Sequence, residues 1–329
     1  MQRSSTETLV YIGDKGPGNG KHIVLLAGDE EYRSEEALPQ LARILAFRHG
    51  FKCTVVFSLN DQGEIDPNRQ TNQPGIEALE TADLCITMLR FRQWPDKQMR
   101  SFVNYYHAGK PIIALRTSTH AFNYPDASQS AYKEFSWQSK SWPGGFGKQV
   151  LGETWVSHWG IHGKQATRGH IEPSQKSHPI LVGVNQIFGT TDVYEANPPE
   201  EVDVLVRGEV VNGMSATDSA ATGLKKRSDG MEQGINDPMM PIVWIKRSTV
   251  PGGRQLTALV STMGSATDFL NEDLRRLLVN GTFWLTGLSQ PKSPLNVDFV
   301  GDYKPSDFGF ETFRRGMKPA DFAWPPIQS

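Results

Sequence analysis

The sequence predicts a doubly wound α/β fold, in which a mostly parallel sheet is covered by helices on both faces. Four apolar runs, at residues 22–28, 51–57, 82–89 and 111–115, are each long enough to form one strand. Apolar residues follow one another in these runs, as they do in strands that are buried on both faces. Helical stretches separate several of the runs, which is the pattern of a parallel sheet.

Two helices are predicted within this first part of the chain. The first follows the run HIVLLAG, carries Leu38, Leu41 and Leu45 on one face, and ends near Gly50. The second begins after Pro95 and repeats apolar residues at three- and four-residue spacing. Between the second and third strand runs the chain is expected to form a polar loop through Pro74.

The rest of the chain alternates between predicted loops and short strands. Residues 121–176 are rich in Ser, Gly, Trp and His, residues 212–237 are rich in Gly, Ser, Asp and Lys, and we expect both to be loop insertions. Short β-like runs occur around them: TDVYEA, VDVLVRGEVV, PIVWIK and RQLTALVST. A closing helix is expected after Asn271, which suits the N-cap because its side chain accepts a backbone hydrogen bond.

These patterns divide the chain into three parts. Residues 1–21 form an N-terminal extension, residues 22–290 form the α/β domain with its two insertions, and residues 291–329 form an extended tail. The tail contains many Pro, Phe and Asp residues and has no helical or strand period, and its aromatic residues argue against simple disorder. We expect it to lie across the domain or across a neighbouring subunit, in which case it would support a homo-oligomer.

Composition excludes several classes of function. The formal net charge is -2 and no block of basic residues occurs, so binding to nucleic acid is not expected. No apolar run approaches the roughly 20 residues of a membrane-spanning helix, and the N-terminal segment lacks the apolar centre of a signal peptide. The sequence as it stands predicts a soluble cytoplasmic protein, and a periplasmic or secreted one if a leader preceded it. Cys53 and Cys85 lie in strand runs and are expected to be small core residues.

Ligands of an open parallel sheet bind beyond the carboxyl ends of its strands, so the residues that follow the predicted strands are candidates for a functional site. Three strand ends supply carboxylates, guanidinium groups, hydroxyls and an imidazole: Asp29, Glu30, Glu31, Arg90, Arg92, Arg116, Thr117, Ser118, Thr119 and His120. Carboxylates accept protons from sugar hydroxyls, and guanidinium groups donate to sugar oxygens. The alternative is structural, with the acids at a helix N-terminus and the arginines paired to them.

A second candidate group is the segment TWVSHWGIHGKQATRGHI, which contains His158, His162 and His170. His158 and His162 are four residues apart, a spacing used by metal ligands on a helix, although the glycines of the segment disfavour a helix. Three roles stay open for these histidines: binding of a divalent metal, acid–base catalysis, and ordinary hydrogen bonding in a loop. Trp155 and Trp159 are candidates for stacking on a sugar ring, with core packing as the alternative.

Several motifs resemble those of the ThuA-like (trehalose-utilisation) family. SHPILVG followed by TDVY is similar to the HPI-x-x-G and D-x-Y elements of that family. Trp244, the run GGRQLTALVSTMG and the ending LRRLLVNGTFWLTG are similar to its Trp, strand, glycine and LL-x-NG-x-x-W-x-x-G pattern. The order and spacing agree from about His22 to Gly287.

The resemblance implies the class I glutamine amidotransferase-like fold, a flavodoxin-like three-layer sandwich. Enzymes of that superfamily place a nucleophilic cysteine on the sharp turn after the strand that corresponds to PIIAL. Here Arg116 or Thr117 occupies the turn, and no cysteine lies within thirty residues of it, so a glutaminase is not expected. Ser118 and His120 are only two residues apart, a separation at which triad geometry is seldom achieved.

ThuA-like proteins are associated with disaccharide use, in which a partner oxidoreductase forms 3-keto sugars. The resemblance therefore implies a small-molecule carbohydrate as the ligand of this chain. We expect an enzyme that acts on a sugar or disaccharide, in oxidised form or not, by acid–base lyase, isomerase or hydrolase chemistry. The alternative is a non-catalytic sugar-binding or assembly protein on the same scaffold.

The expected roles are assigned as follows. The acid–base candidates are His120, His158, His162, Asp29 and Glu31. The substrate-binding candidates are Arg90, Arg92, Arg116, Thr117, Trp159 and Glu30. No cofactor is certain from the sequence, and a divalent metal is the one candidate, with His158, His162 and His170 as its ligands.

Overall fold

The structure, a computed structural model, describes residues 7–289 and 293–325. Residues 1–6 of the predicted N-terminal extension, and residues 291, 292 and 326–329 of the predicted tail, lie outside the described residues. The helices are α1 (Ser34–His49), α2 (Asp96–His107) and α3 (Glu272–Leu285). The strands are β1 (Thr8–Ile12), β2 (His22–Gly28), β3 (Lys52–Phe57), β4 (Leu84–Leu89), β5 (Ile112–Leu115), β6 (Ser157–His158), β7 (Thr167–Ile171), β8 (Ile187–Gly189), β9 (Tyr194–Glu195), β10 (Asp203–Val210), β11 (Leu224–Lys226), β12 (Glu232–Gly234), β13 (Met240–Thr249) and β14 (Gln255–Ser261).

Ten of these strands form one mixed sheet in the order β1-β3-β2-β4-β5-β14-β13-β10-β7-β8. Five adjacent strands of this order pair parallel with one another: β3, β2, β4, β5 and β14. This confirms the predicted parallel core. The strands beyond them, including β1 at the other edge, pair antiparallel. The chain moves from β2 to β3 on one side and to β4 on the other, and such a reversal of strand order is where α/β folds bind ligands.

Helices cover both faces of the parallel core. Ile23 and Leu25 of β2 pack in the apolar cluster that includes residues of α1 and α3, whereas Val24 and Leu26 pack in the cluster that includes residues of α2. Successive side chains of a strand point to opposite faces, so a strand buried on both faces must be apolar at every position. The predicted three-layer arrangement is therefore confirmed.

The helix boundaries follow local signals that the sequence contains. Helix α1 ends where Gly50 adopts a left-handed conformation (φ 84°) and its N–H donates to Ala46 O. Helix α3 begins where the Asn271 side chain accepts a hydrogen bond from Leu274 N at 2.8 Å, as expected for an N-cap. Helix α2 begins directly after Pro95, also as predicted.

Three segments differ from the expectation in detail. The predicted N-terminal extension supplies β1, because Leu9 and Tyr11 of its short alternating run are buried against the sheet. The first predicted loop insertion, residues 121–176, contains β7 of the main sheet, and the second, residues 212–237, contains the β11–β12 hairpin. The tail, by contrast, has one of its two expected placements, across the same chain, where Met317 O accepts a hydrogen bond from Ile65 N.

Two further sequence expectations concern membranes and cysteines. Within the described residues, no helix has both the length and the apolar character that crossing a bilayer requires. Cys53 and Cys85 are free and fully buried in β3 and β4, as predicted for core residues.

The buried carboxyl of Glu35, in the first turn of α1, should make the stability of the fold depend on pH. Its side chain is buried, and neither carboxyl oxygen has a hydrogen-bond partner among the described residues. Burial raises the pKa of this carboxyl from 4.5 to about 8, so the folded protein keeps the proton at neutral pH while the unfolded chain loses it. The free energy of unfolding should therefore fall as the pH rises through this interval, by at most about 1.4 kcal/mol per pH unit from this group.

Glu35→Gln keeps the shape of the side chain and removes its titration. We expect urea unfolding between pH 5 and pH 8 to show a weaker loss of stability with pH in this variant than in the unsubstituted protein. Glu311→Gln, at a side chain that is 67% exposed, is the matched control and should leave the pH profile unchanged. A Glu35→Gln profile that parallels that of the unsubstituted protein would show that Glu35 is already ionised in the fold.

Candidate functional site

The carboxyl ends of β2, β4 and β5 meet at one edge of the sheet, because these three strands are parallel neighbours. Asp29 follows β2 and accepts a hydrogen bond from Thr117, which follows β5. Phe91 and Arg116, after β4 and β5, have left-handed backbone conformations with φ of 53° and 40°, which residues other than glycine rarely adopt. Backbone strain of this kind concentrates at functional sites, which marks this edge as the candidate site.

A buried carboxylate, Asp192, connects this edge to the histidine-rich segment. Strand β6 pairs with β9, so that His158 lies opposite Tyr194 and close to Asp192. His158 Nδ1 lies 2.8 Å from Asp192 Oδ2, and His162 Nδ1 lies 3.1 Å from Asp192 Oδ1. Gly160 permits this approach, since a Cβ atom there would lie only 3.1 Å from the Asp192 Cβ. One carboxylate thus positions two of the predicted histidines.

Arg116 pairs with Asp192 from the end of β5. Its side chain is fully buried, and its Nη2 lies 2.9 Å from Asp192 Oδ1. Its Nη1 donates to the backbone oxygens of Asp192 and Thr262, both at 2.7 Å. The guanidinium packs against the rings of Tyr194 and Tyr32, 3.7 and 4.6 Å from their centroids. These contacts hold Asp192 in place, and the burial of Arg116 removes it as a direct substrate ligand.

His162 lies between two carboxylates. Its Nδ1 is 3.1 Å from Asp192 Oδ1, and its Nε2 is 3.1 Å from Glu31 Oε1. The hydrogen bonds with Asp192 and Glu31 raise the pKa of His162 from 6.5 to about 9. Burial alone would raise the pKa of Asp192, but the Arg116 guanidinium and the hydrogen bonds from His158 and His162 outweigh it and hold that pKa well below its usual range. These contacts favour the ionised form of Asp192.

His120 follows β5 and is almost completely buried. Burial, and then the positive charges of Arg90 and Arg116, lower the pKa of His120 well below 6.5, so its imidazole is neutral at neutral pH. Its Nδ1 lies 3.3 Å from Thr119 Oγ1, and no hydrogen bond to its Nε2 occurs within the described part of the chain. In the tautomer that carries its proton on Nδ1, His120 offers Nε2 as a proton acceptor.

Aromatic side chains surround these histidines. The His120 ring centroid lies 5.2 Å from that of Phe91 and 5.7 Å from that of Trp155. The His158 ring lies 5.8 Å from Trp155 and 5.6 Å from Tyr194. Phe91 and Trp155 are only partly buried, so each keeps accessible surface. Flat apolar surface beside polar groups suits a sugar, whose C–H faces pack on aromatic rings while its hydroxyls hydrogen-bond.

The C-terminal tail forms a further side of the site. The Phe308 ring lies 5.4 Å from the rings of both Tyr32 and His162. Phe310 is 50% exposed, and the Arg90 guanidinium lies 4.9 Å from the centroid of its ring. Aromatic residues far along the chain therefore adjoin the polar groups that follow β2 and β4.

Asp29 and Thr117 do not have the expected catalytic and substrate-binding positions. Both are fully buried, and they hydrogen-bond to each other. Asp29 Oδ1 also accepts the backbone N–H groups of Glu31 and Tyr32, at 2.8 and 2.5 Å. Burial, and then the nearby Glu30 carboxylate, raises the pKa of Asp29 to about 6. Asp29 and Thr117 fix the turn after β2, which corrects the prediction for both.

Glu30 and Arg92 form the structural ion pair that was the alternative interpretation. Glu30 accepts hydrogen bonds from Arg90 at 2.9 Å and from Arg92 at 3.0 Å. Arg92 is fully buried and also donates to Ser58 Oγ and Pro67 O. The side chain of Arg90 keeps 19% of its surface exposed. Of the three predicted arginines, Arg90 is thus the one that can reach a ligand.

Trp159 and His170 also differ from the prediction. Trp159 is fully buried and its Nε1 donates to Ile235 O at 2.7 Å, so it belongs to the core and offers no face to a sugar. His170 lies on β7, where its Nε2 is 3.2 Å from Glu209 Oε2. Within the described residues, the side chains grouped closely enough to hold a metal ion are His158, His162 and Asp192, whose ligand atoms lie within 4.8 Å of one another.

Sequence reasoning missed Asp192 and Tyr194, although both belong to the TDVY motif. One signal could have identified Asp192. It is an acidic residue inside a short apolar β-like run, and a carboxylate buried there needs a cationic partner. Arg116 and the two nearby histidines were the candidate partners among the residues already singled out.

Four cavities of the described chain, with volumes of about 510, 600, 590 and 530 Å³, lie away from this group, and none of the four is lined by His120, His158 or His162. The side chains of His158 and His162 are 36% and 35% exposed. A ligand at this site would therefore bind at an accessible surface and not in one of these cavities.

Comparison with known proteins gives likeness of structure only. No family model matches the chain, and no curated protein matches it. A structure from Parabacteroides merdae ATCC 43184, provisionally described as a ThuA-like protein, is 16% identical over 89% of this chain and 95% of that chain, with a TM-score of 0.47. A structure from Bacteroides uniformis ATCC 8492 with the same description is 14% identical over 83% and 93%, with a TM-score of 0.48.

A third structure, the exo-β-1,4-mannosidase Op5Man5 from Opitutaceae bacterium strain TAV5, is 9% identical over 82% of this chain and 36% of that chain, with a TM-score of 0.31. The likeness of structure itself concerns the α/β fold.

Loss of the buried ion pair between Arg116 and Asp192 should lower the free energy of unfolding. Arg116→Met removes the cation beside Asp192 and leaves a buried carboxylate without its main partner, which should cost about 3–5 kcal/mol of unfolding free energy in urea denaturation. Arg315→Met is the control, because the side chains of Arg315 and its partner Glu311 are 69% and 67% exposed, and such pairs contribute less than about 1 kcal/mol. Equal small losses in both variants would rule out Arg116 as the anchor of Asp192.

Proposed function

We propose that this chain is a carbohydrate-active enzyme of the ThuA-like class that performs proton-transfer chemistry on a sugar carrying a ketone. One observation carries the proposal: His120 and His158 lie beside the same two rings, those of Trp155 and Tyr194, with the Asp192 carboxylate buried behind His158. A ligand that rests on Trp155 can therefore reach the partly exposed imidazole of His158, and the almost completely buried imidazole of His120 adjoins the same ring. The ThuA-like resemblance supports the choice of a 3-keto sugar or disaccharide.

The proposed roles follow from the positions of the groups. His120 accepts a proton from the carbon or hydroxyl next to the ketone, because its Nε2 is free of hydrogen bonds among the described residues. His158, which Asp192 holds at Nδ1, contacts the sugar oxygen on which negative charge develops. Lyase, isomerase and hydrolase reactions that pass through an enolate of the keto sugar begin with such a proton transfer.

Covalent catalysis receives no support from the positions of the nucleophiles. Cys53 and Cys85 are fully buried within strands, and the strained turn after β5 contains Arg116, with no cysteine. Ser118 is buried as well, and its hydroxyl donates to Thr87 O at 3.0 Å. These contacts favour acid–base catalysis over acyl transfer.

The proposal predicts conversion of a 3-keto disaccharide by the purified protein, followed by proton NMR of the sugar. His120→Gln and His158→Gln should each lower kcat/KM by about 10²–10⁴-fold, the range of a lost general acid or base, with little change in thermal unfolding. His170→Gln is the matched control, because His170 pairs with Glu209 outside the site. Saturable sugar binding without any product would instead support the non-catalytic sugar-binding alternative.

The tail residue Phe310 should affect substrate affinity without affecting the chemical step. Phe310 is half-exposed beside Arg90, so Phe310→Ala should raise KM several-fold while leaving kcat nearly unchanged, as expected when binding is lost equally in the ground and transition states. Leu270→Ala removes another exposed apolar side chain outside the site, 54% exposed, and should change neither constant. An unchanged KM in Phe310→Ala would show that the tail does not contact the substrate.

A further inference from the structure

We infer that His158, His162 and Asp192 bind a divalent transition-metal ion, and that Glu31 and Arg116 orient two of these ligands. The inference deepens the proposed function, on which it rests for its chemistry, because the ion would polarise the sugar oxygen at the same site. The site itself is argued from the protein alone, and it can be tested without any sugar.

The donor atoms are already close to metal-ligand separations. His158 Nδ1 and His162 Nδ1 lie 2.8 and 3.1 Å from the two oxygens of Asp192, and all three ligand atoms lie within 4.8 Å of one another. Donors of a tetrahedral zinc site are roughly 3.3 Å apart, so movements of about 1 Å complete the geometry. The imidazoles can make these movements, because they are about one-third exposed.

The two ring nitrogens of His162 have the surroundings of a metal-binding imidazole. Both of its ring nitrogens face a carboxylate oxygen at 3.1 Å, Asp192 on one side and Glu31 on the other. A neutral imidazole has one N–H and can donate to only one of them. With an ion on the Asp192 side, Nδ1 would bind the metal while the Nε2–H donates to Glu31. A carboxylate behind a metal-binding histidine is the usual arrangement of such sites.

Asp192 is also held in a fixed position as a ligand. It is fully buried, and Arg116 fixes its carboxylate through Nη2 at 2.9 Å while Nη1 holds its backbone oxygen. Two imidazoles and one carboxylate suit zinc, iron(II) or manganese, whereas magnesium and calcium prefer oxygen ligands only. Three protein ligands leave further coordination positions open, as catalytic sites require.

The test is calorimetric titration of the full chain with zinc chloride, and separately with magnesium chloride, after treatment with EDTA and removal of the chelator. We expect one zinc ion to bind per chain and magnesium to show no saturable binding. His158→Gln and His162→Gln should weaken zinc binding more than tenfold, and Glu31→Gln about 10–100-fold, the range for a residue that supports a ligand. His170→Gln, at a histidine outside the site, should bind zinc as the unsubstituted protein does.

Two outcomes overturn the inference: no saturable zinc binding, or zinc binding that His158→Gln and His162→Gln leave intact. Circular dichroism of each variant separates a lost ligand from a lost fold, and Glu31→Gln, which removes no ligand, provides the second line of evidence. Zinc binding by a protein that converts no keto sugar would leave the metal site standing and remove the proposed function. Turnover that persists in EDTA, in a protein that binds no zinc, would remove the metal site and leave the proposed function standing.

Discussion

The ion pair between Arg116 and Asp192 is the contact on which the candidate site depends. A carboxylate that is fully excluded from water persists as an anion only when charged and hydrogen-bonding partners surround it. Arg116 provides the charge from the end of β5, in a left-handed backbone conformation, while its guanidinium packs against Tyr194 and Tyr32. With Asp192 fixed in this way, His158 and His162 are each held at one of its oxygens.

The charged residues at this edge of the sheet divide by exposure. Asp29, Glu30 and Arg92 are buried and satisfied by one another or by the backbone, so they set the shape of the strand ends. His158 and His162 are partly exposed, and they are the groups that a ligand can reach. The structural interpretation therefore holds for Asp29, Glu30 and Arg92, whereas a functional role for the partly exposed histidines stays a prediction.

Local signals explain why much of the fold was predictable. The run HIVLLAG coincides with β2, and Asn271 caps α3, because apolar patterns and caps act over a few residues. Parallel topology also predicted that the strand ends would meet at one edge. Accessibility was not predictable, since it depends on contacts between distant segments: Trp159 packs in the core, and Asp192 pairs with Arg116 across 76 residues of sequence. No local pattern identifies such a partner.

The most direct test of this account is a double-mutant cycle on Arg116 and Asp192, measured as unfolding free energies in urea. Arg116→Met, Asp192→Asn and the combined variant are compared with the unsubstituted protein. The account predicts a coupling energy of about 1–3 kcal/mol, so that the combined variant is less destabilised than the sum of the two single variants. The reason is that each single variant leaves one buried charge unpaired, whereas the combined variant contains neither charge. Losses that simply add would show that the two side chains do not depend on each other, and would contradict the account.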